Sequence, residues 1–201
     1  MGMTSVARFV VWFGVVCVLP TSTFAQSSDE RPRVQVVRVE PGAVRIDGTL
    51  GDTAWNLATP ATNFTQREPN EGELAGDRMD VRFLYDDAAL YVGARMHSSQ
   101  PVQASLSRRD DPGQAEFFAV ALDTYLDRRT AYGFGVTAAG VRVDVFFPTD
   151  NQDRVETDFD PVWQARTVVT EDGWTAEFRI PFSQLRFNSR DKNVWGLNIM
   201  R

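Results

Sequence analysis

The chain has 201 residues, a formal net charge of −6, one cysteine, one histidine and a single lysine, Lys192. An acidic chain of this kind is excluded as a duplex nucleic-acid binder, because phosphate contacts need clustered Lys and Arg. One histidine supports no Ser-His-Asp machinery and no zinc site, and His97, at a strand's end, reads as a surface or packing residue.

Residues 1–25 read as a signal peptide. Arg8 gives a short positive start, Phe9 to Leu19 an apolar stretch, and Thr23-Phe24-Ala25 ends in the small residue that signal peptidase needs. That stretch is too short to span a bilayer, which takes roughly 20 residues. Cys17 lies inside it, so the mature chain has no cysteine, as expected of an exported bacterial-envelope domain without disulfides. The basic residues left are nearly all arginine, suited to planar, bidentate hydrogen bonding.

A polar lead, residues 26–33, precedes the predicted strand Val34 to Val39. Pro41-Gly42 breaks it, and Ala43 to Ile46 resumes extended structure. Asp52 is placed to cap a short helical turn carrying Trp55, and Ala61 to Gln66 is a further short strand. Met79 to Tyr85 and Ala89 to Met96 form a hairpin about Asp86-Asp87; Met79, Val81, Phe83 and Tyr85 share one face of the first arm. Strands follow at Phe117–Leu122, Tyr132–Thr137, Val141–Phe147, Trp163–Val169 and Trp174–Ile180. Glu171-Asp172-Gly173 is a hairpin turn, since Asp-Gly accepts positive φ cheaply. Pro181 to Leu185 is a short helical turn, and Asn193 to Arg201 begins a strand that either closes the sandwich or fronts a longer protein. No long stretch has helical periodicity. About ten short strands with frequent turns predict an all-β fold, an antiparallel β-sandwich of jelly-roll-like type with short helical turns over 34–201.

Several runs in order extend through most of the mature chain: Asp47-Gly48 leading to Trp55, Gln66-Arg67-Glu68-Pro69, Tyr85-Asp86 with Leu90-Tyr91-Val92-Gly93, and Leu122-Asp123-Thr124 with Asp127-Arg128-Arg129. Tyr132-Gly133-Phe134, Ala139-Gly140-Val141, Asp172-Gly173-Trp174, Ile180-Pro181-Phe182, Leu185-Arg186-Phe187 and Trp195-Gly196-Leu197-Asn198 continue the series. In this pattern the chain resembles a carbohydrate-binding module of family 9, in the version found just after the signal peptide of large bacterial outer-membrane β-barrel proteins of unassigned function. These relatives commonly carry Asn where this chain has Thr137.

The resemblance implies a sugar-binding β-sandwich, with structural calcium in some members, and a loop glutamate and a strand arginine on the sugar hydroxyls, here Glu68 and Arg95. Sugar rings need a flat aromatic face and planar polar groups. Tyr125, Tyr132 and Trp163 lie beside polar runs and are the candidate platforms, whereas Trp55, Trp174 and Trp195 sit in apolar contexts that read as core. Arg108, Asp110 and Arg128 belong to dense charge clusters that form either the rim of a binding face or solvated loops. Calcium would draw on the acidic stretch holding Asp144, Asp150, Asp153 and Asp158, which lacks EF-hand spacing.

The expected function is therefore an exported, non-catalytic carbohydrate-binding module of the periplasm or outer membrane, linked to carbohydrate catabolism, with a sugar as partner and an outer-membrane barrel in the same natural protein. Two alternatives stand beside it. One is an accessory or plug domain of a barrel without a sugar ligand; the other is a glycoside hydrolase using a carboxylate pair ~5–9 Å apart.

Overall fold

The computed structural model describes residues 32–151 and 154–201; the leader read over 1–25, the lead to residue 31 and Asp153 lie outside them. Nine strands form two sheets: β1 (Val37–Arg38), β2 (Met79–Tyr85), β3 (Ala89–His97), β4 (Phe117–Asp123), β5 (Ala131–Thr137), β6 (Arg142–Phe147), β7 (Gln164–Thr170), β8 (Gly173–Pro181) and β9 (Gly196–Met200). One sheet has the order β1-β2-β3-β8-β7 and the other β6-β5-β4-β9. All pairings are antiparallel except the short parallel contact of β1 with β2. Among the described residues the helical content is two short 3-10 segments, Thr53–Leu57 and Phe182–Gln184. Among the described residues no helix is long and apolar enough to cross a membrane.

Alternation decides which side chains meet between the sheets. Val81 and Phe83 of β2, Val92, Ala94 and Met96 of β3, and Trp174, Ala176, Phe178 and Ile180 of β8 point inward and are almost fully buried. Phe118, Val120 and Leu122 of β4 and Phe134 and Val136 of β5 face them. Burying a side chain of this size is worth about 1.5–3 kcal/mol, so this layer dominates the stability of the sandwich. The β7–β8 turn requires its glycine: Gly173 has φ 139°, and a Cβ there would stand 2.0 Å from the Met96 carbonyl oxygen.

A second apolar cluster lies on the outer face of the larger sheet, where Trp55, Val39, Val44 and Ala54 pack with Leu84 and Tyr91. Gly93 admits this cover, since a Cβ there would approach Trp55 Cζ3 to 2.8 Å. Glu177, fully buried on β8, holds it in place by accepting the N–H groups of Asp47 (2.9 Å), Gly48 (2.7 Å) and Leu50 (3.1 Å) and the indole N–H of Trp55 (3.0 Å).

The structure departs from the expected elements at four places. The strand expected over Val34–Val39 shrinks to Val37–Arg38, and Ala43–Ile46 forms none, because N–H groups of the following segment bond to carboxylates instead of a neighbouring strand. Ala61–Gln66 contributes only the isolated bridges Ala61–Val81 and Thr65–Leu74. Asp52 does not cap the 3-10 segment; its carboxylate accepts the N–H of Arg45 at 2.7 Å. Asn193–Arg201 does form its strand as Gly196–Met200, antiparallel to β4.

Candidate functional site

The connections gather at two ends of the sandwich, separated by strands of about seven residues, roughly 20 Å. At one end lie the β4–β5 loop (124–130) and the segment 186–195 before β9. At the other lie the loop 66–78, the β3–β4 connection next to residue 98 and the β7–β8 turn.

The β4–β5 loop is held by its own carboxylates. Asp123 accepts the N–H groups of Asp127 (3.1 Å) and Arg128 (2.7 Å). Asp127 accepts those of Arg129 (2.7 Å) and Thr130 (2.8 Å) and the Thr130 hydroxyl (3.0 Å). Burial opposes ionisation of Asp127, but these donors outweigh it and hold its carboxyl below the ordinary range. Leu126 (φ 55°) and Arg128 (φ 59°) are left-handed without being glycine, backbone that persists only where its surroundings fix it.

The facing segment is fixed at its base. Phe187 and Trp195 meet with ring centroids 5.3 Å apart, and Phe182 packs on both. The buried Thr124 donates its hydroxyl to the Arg186 carbonyl, tying the two loops together.

Between them lies a hollow of about 300 Å³, at the small end of ligand sites. Tyr125, Leu126 and Val194 give it an apolar side, and each is substantially exposed, Tyr125 at 43%. Asn188, Asn193, Arg190 and Lys192 give it planar amides and cations. An aromatic ring together with amides, a guanidinium and an ammonium in one hollow supplies the group types a pyranose ring uses, an apolar face for its C–H side and planar donors for its hydroxyls. A second hollow of about 250 Å³, lined by Arg45, Ile46, Gln164 and Arg166, has no aromatic wall.

The residues expected to bind sugar do not form one constellation. Tyr125 and Arg128 lie on the loop beside the larger hollow. Glu68 is exposed on the loop at the opposite end. Arg95 is at that end too, paired with Asp172 at 2.7 and 2.9 Å; the Thr170 hydroxyl first, then Arg95, hold the Asp172 carboxyl below its usual value. Arg108 is exposed on the β3–β4 connection. Asp110 accepts the Asp144 N–H at 3.1 Å along the edge of β6.

Two expected platforms are core residues instead. Trp163 is 2% exposed, stands edge-on to Phe134 (5.2 Å) and Phe178 (5.1 Å), and donates its indole N–H to Asp144 at 2.9 Å. Tyr132 is 8% exposed against Phe146 and Phe159. Both lie on inward positions that alternation marks, Trp163 with Ala165, and Tyr132 with Phe134 and Val136.

The described members of the acidic stretch, Asp144, Asp150 and Asp158, do not come together as a calcium site. Asp144 is 1% exposed and committed to Arg109 (2.9 and 3.0 Å) and the Trp163 indole, while Asp150 and Asp158 are exposed. Among the described residues no three of His, Cys, Asp and Glu could hold a metal ion. Thr137 keeps a bonding role at the β5–β6 turn, its hydroxyl accepting the Val141 N–H at 3.1 Å. The sequence reading missed Asn188, Arg190, Lys192 and Asn193. Their signal was the gathering of cations, including the single lysine, in a short polar run of an acidic chain.

Fold and geometry define a two-sheet antiparallel β-sandwich module with a hollow at one end. The chain belongs to the carbohydrate family 9 binding domain-like family, whose model matches residues 46–201. Two solved structures of a family 9 carbohydrate-binding module from Caldicellulosiruptor kristjanssonii share the fold. The one in complex with cellotriose is 19% identical, with a TM-score of 0.55 over 82% of this chain and 75% of that one. The other, in complex with glucose, is 20% identical, with a TM-score of 0.54 over 82% of this chain and 76% of that one. Comparison with curated proteins finds no match.

Proposed function

We propose that this protein is an exported, non-catalytic carbohydrate-binding module that takes a sugar in the hollow between the β4–β5 loop and the segment 186–195. The observation that carries the reading is Tyr125, an exposed aromatic on a loop fixed by two aspartates, lining a hollow of about 300 Å³ together with amides and cations. Family membership supports it, as do the cellotriose and glucose held by the two modules that share the fold.

The test is calorimetry of the chain against neutral and acidic oligosaccharides. Saturable one-to-one binding is expected, weakened at least about tenfold, or ~1.4 kcal/mol, by Tyr125→Ala. No binding by a demonstrably folded sample overturns the reading.

Export is part of the proposal and rests on the apolar run Phe9 to Leu19 followed by Ala25, with the periplasm or outer membrane as the place of work and a barrel as the attached partner. The secreted protein should start at Gln26 by N-terminal sequencing; an intact Met1 start in the exported fraction contradicts it.

A further inference from the structure

The charge around the hollow runs against that of the chain. Its two loops carry five cations, Arg128 and Arg129 on one and Arg186, Arg190 and Lys192 on the other, in a protein of net charge −6. None of the five makes a direct ion pair among the described residues, although Arg129 acts electrostatically on Asp127.

The carboxylates on and beside these loops, Asp123, Asp127 and Asp191, offset three of the five charges and leave an excess of two cations. Asp123 and Asp127 spend their oxygens on backbone N–H groups, and Asp191 makes no ion pair among the described residues. The opposite end differs: Arg78 holds Asp80, Arg95 holds Asp172 and Arg201 holds Glu116. An excess of cations at one end of an acidic protein makes a local positive field that gathers anions, and arginine matches a planar carboxylate or a sulfate with paired hydrogen bonds.

We propose that the saccharide bound in this hollow is acidic, a sugar bearing a ring carboxylate or sulfate, with Tyr125 under the ring and Arg190 and Lys192 on its anionic group. This rests on the carbohydrate-binding reading above and narrows its ligand class.

Calorimetry would compare trigalacturonic acid, a sulfated disaccharide and cellotriose at 50 and 500 mM salt. Binding of the uronate or the sulfated sugar in preference to cellotriose supports the proposal, and which one binds identifies the anion. That binding should weaken about tenfold at high salt, and the exposed double substitution Arg190→Gln, Lys192→Gln should remove both the preference and the salt dependence, with circular dichroism unchanged. Cellotriose bound as tightly as the acidic sugars, at either salt, overturns the proposal and leaves the carbohydrate reading standing. No binding of any of the three, with Tyr125→Ala equally silent, overturns both.

Discussion

Asp86 and Asp127 both order turns, one in the core and one at the site. Asp86 is 4% exposed and accepts the N–H groups of Ala88 and Ala89, each at 2.8 Å, and the Tyr91 hydroxyl at 2.9 Å. Burial opposes its ionisation, but these donors prevail and its carboxyl is held below the ordinary value. An unfolded aspartate titrates near ~3.9, so the unfolded chain binds the proton first as the solution is acidified. The stability contributed by Asp86 is therefore fully present above that value and lost as pH falls through the lower native one. Asp86→Asn should cost about 1.5–3 kcal/mol at neutral pH and flatten the loss of stability between roughly pH 4 and the native titration point. Urea unfolding across the acid range measures both, and an unchanged slope contradicts this role for Asp86.

At the scale of elements, the N-terminal cover over residues 39–58 depends on a carboxylate from a strand far along the chain. Glu177 serves four N–H donors, and Glu177→Gln replaces one accepting oxygen with an NH₂ that faces donors. The expected cost is about 2–3 kcal/mol, with faster amide exchange at Asp47, Gly48 and Leu50 while β4, β5 and β6 keep their protection. Uniform loosening of the whole sandwich would show that the cover is not a separate unit.

This element also marks where the sequence was silent. Alternation in Met79–Tyr85, Ala89–Met96 and Trp174–Ile180 was legible because those strands face a core on one side. Ala43 to Ile46 looked extended, but Asp47, Gly48 and Leu50, which follow it, bond to a side chain 127 to 130 residues away, and no local pattern encodes that. Trp163 and Tyr132 misled for a related reason: polar neighbours in sequence suggested exposure, whereas their parity with Ala165, Phe134 and Val136 placed them inward. Of the proposed site, Tyr125 stood out in the sequence, while Asn188, Arg190, Lys192 and Asn193 sat in a run whose folded neighbour is another loop.

For the whole molecule, the two ends of the sandwich divide the work. One pairs its charges: Arg95 with Asp172 and Arg201 with Glu116, at 2.7 and 2.8 Å. Pairs of this kind near the surface contribute about 0–1 kcal/mol each. The other end keeps its cations out of direct ion pairs, among the described residues, around an exposed tyrosine. Glu68 and Arg95 therefore cannot share one small ligand with Tyr125 and Arg128, because the length of the strands separates them.

Amide chemical-shift mapping during a titration with the tightest-binding oligosaccharide tests this placement most directly. Shifts concentrated at Thr124–Arg128 and Asn188–Val194, with residues 66–78, Arg95 and Asp172 unmoved, are the predicted result. Shifts centred on Glu68, Arg95 and Asp172 would place the ligand at the paired end and contradict the account.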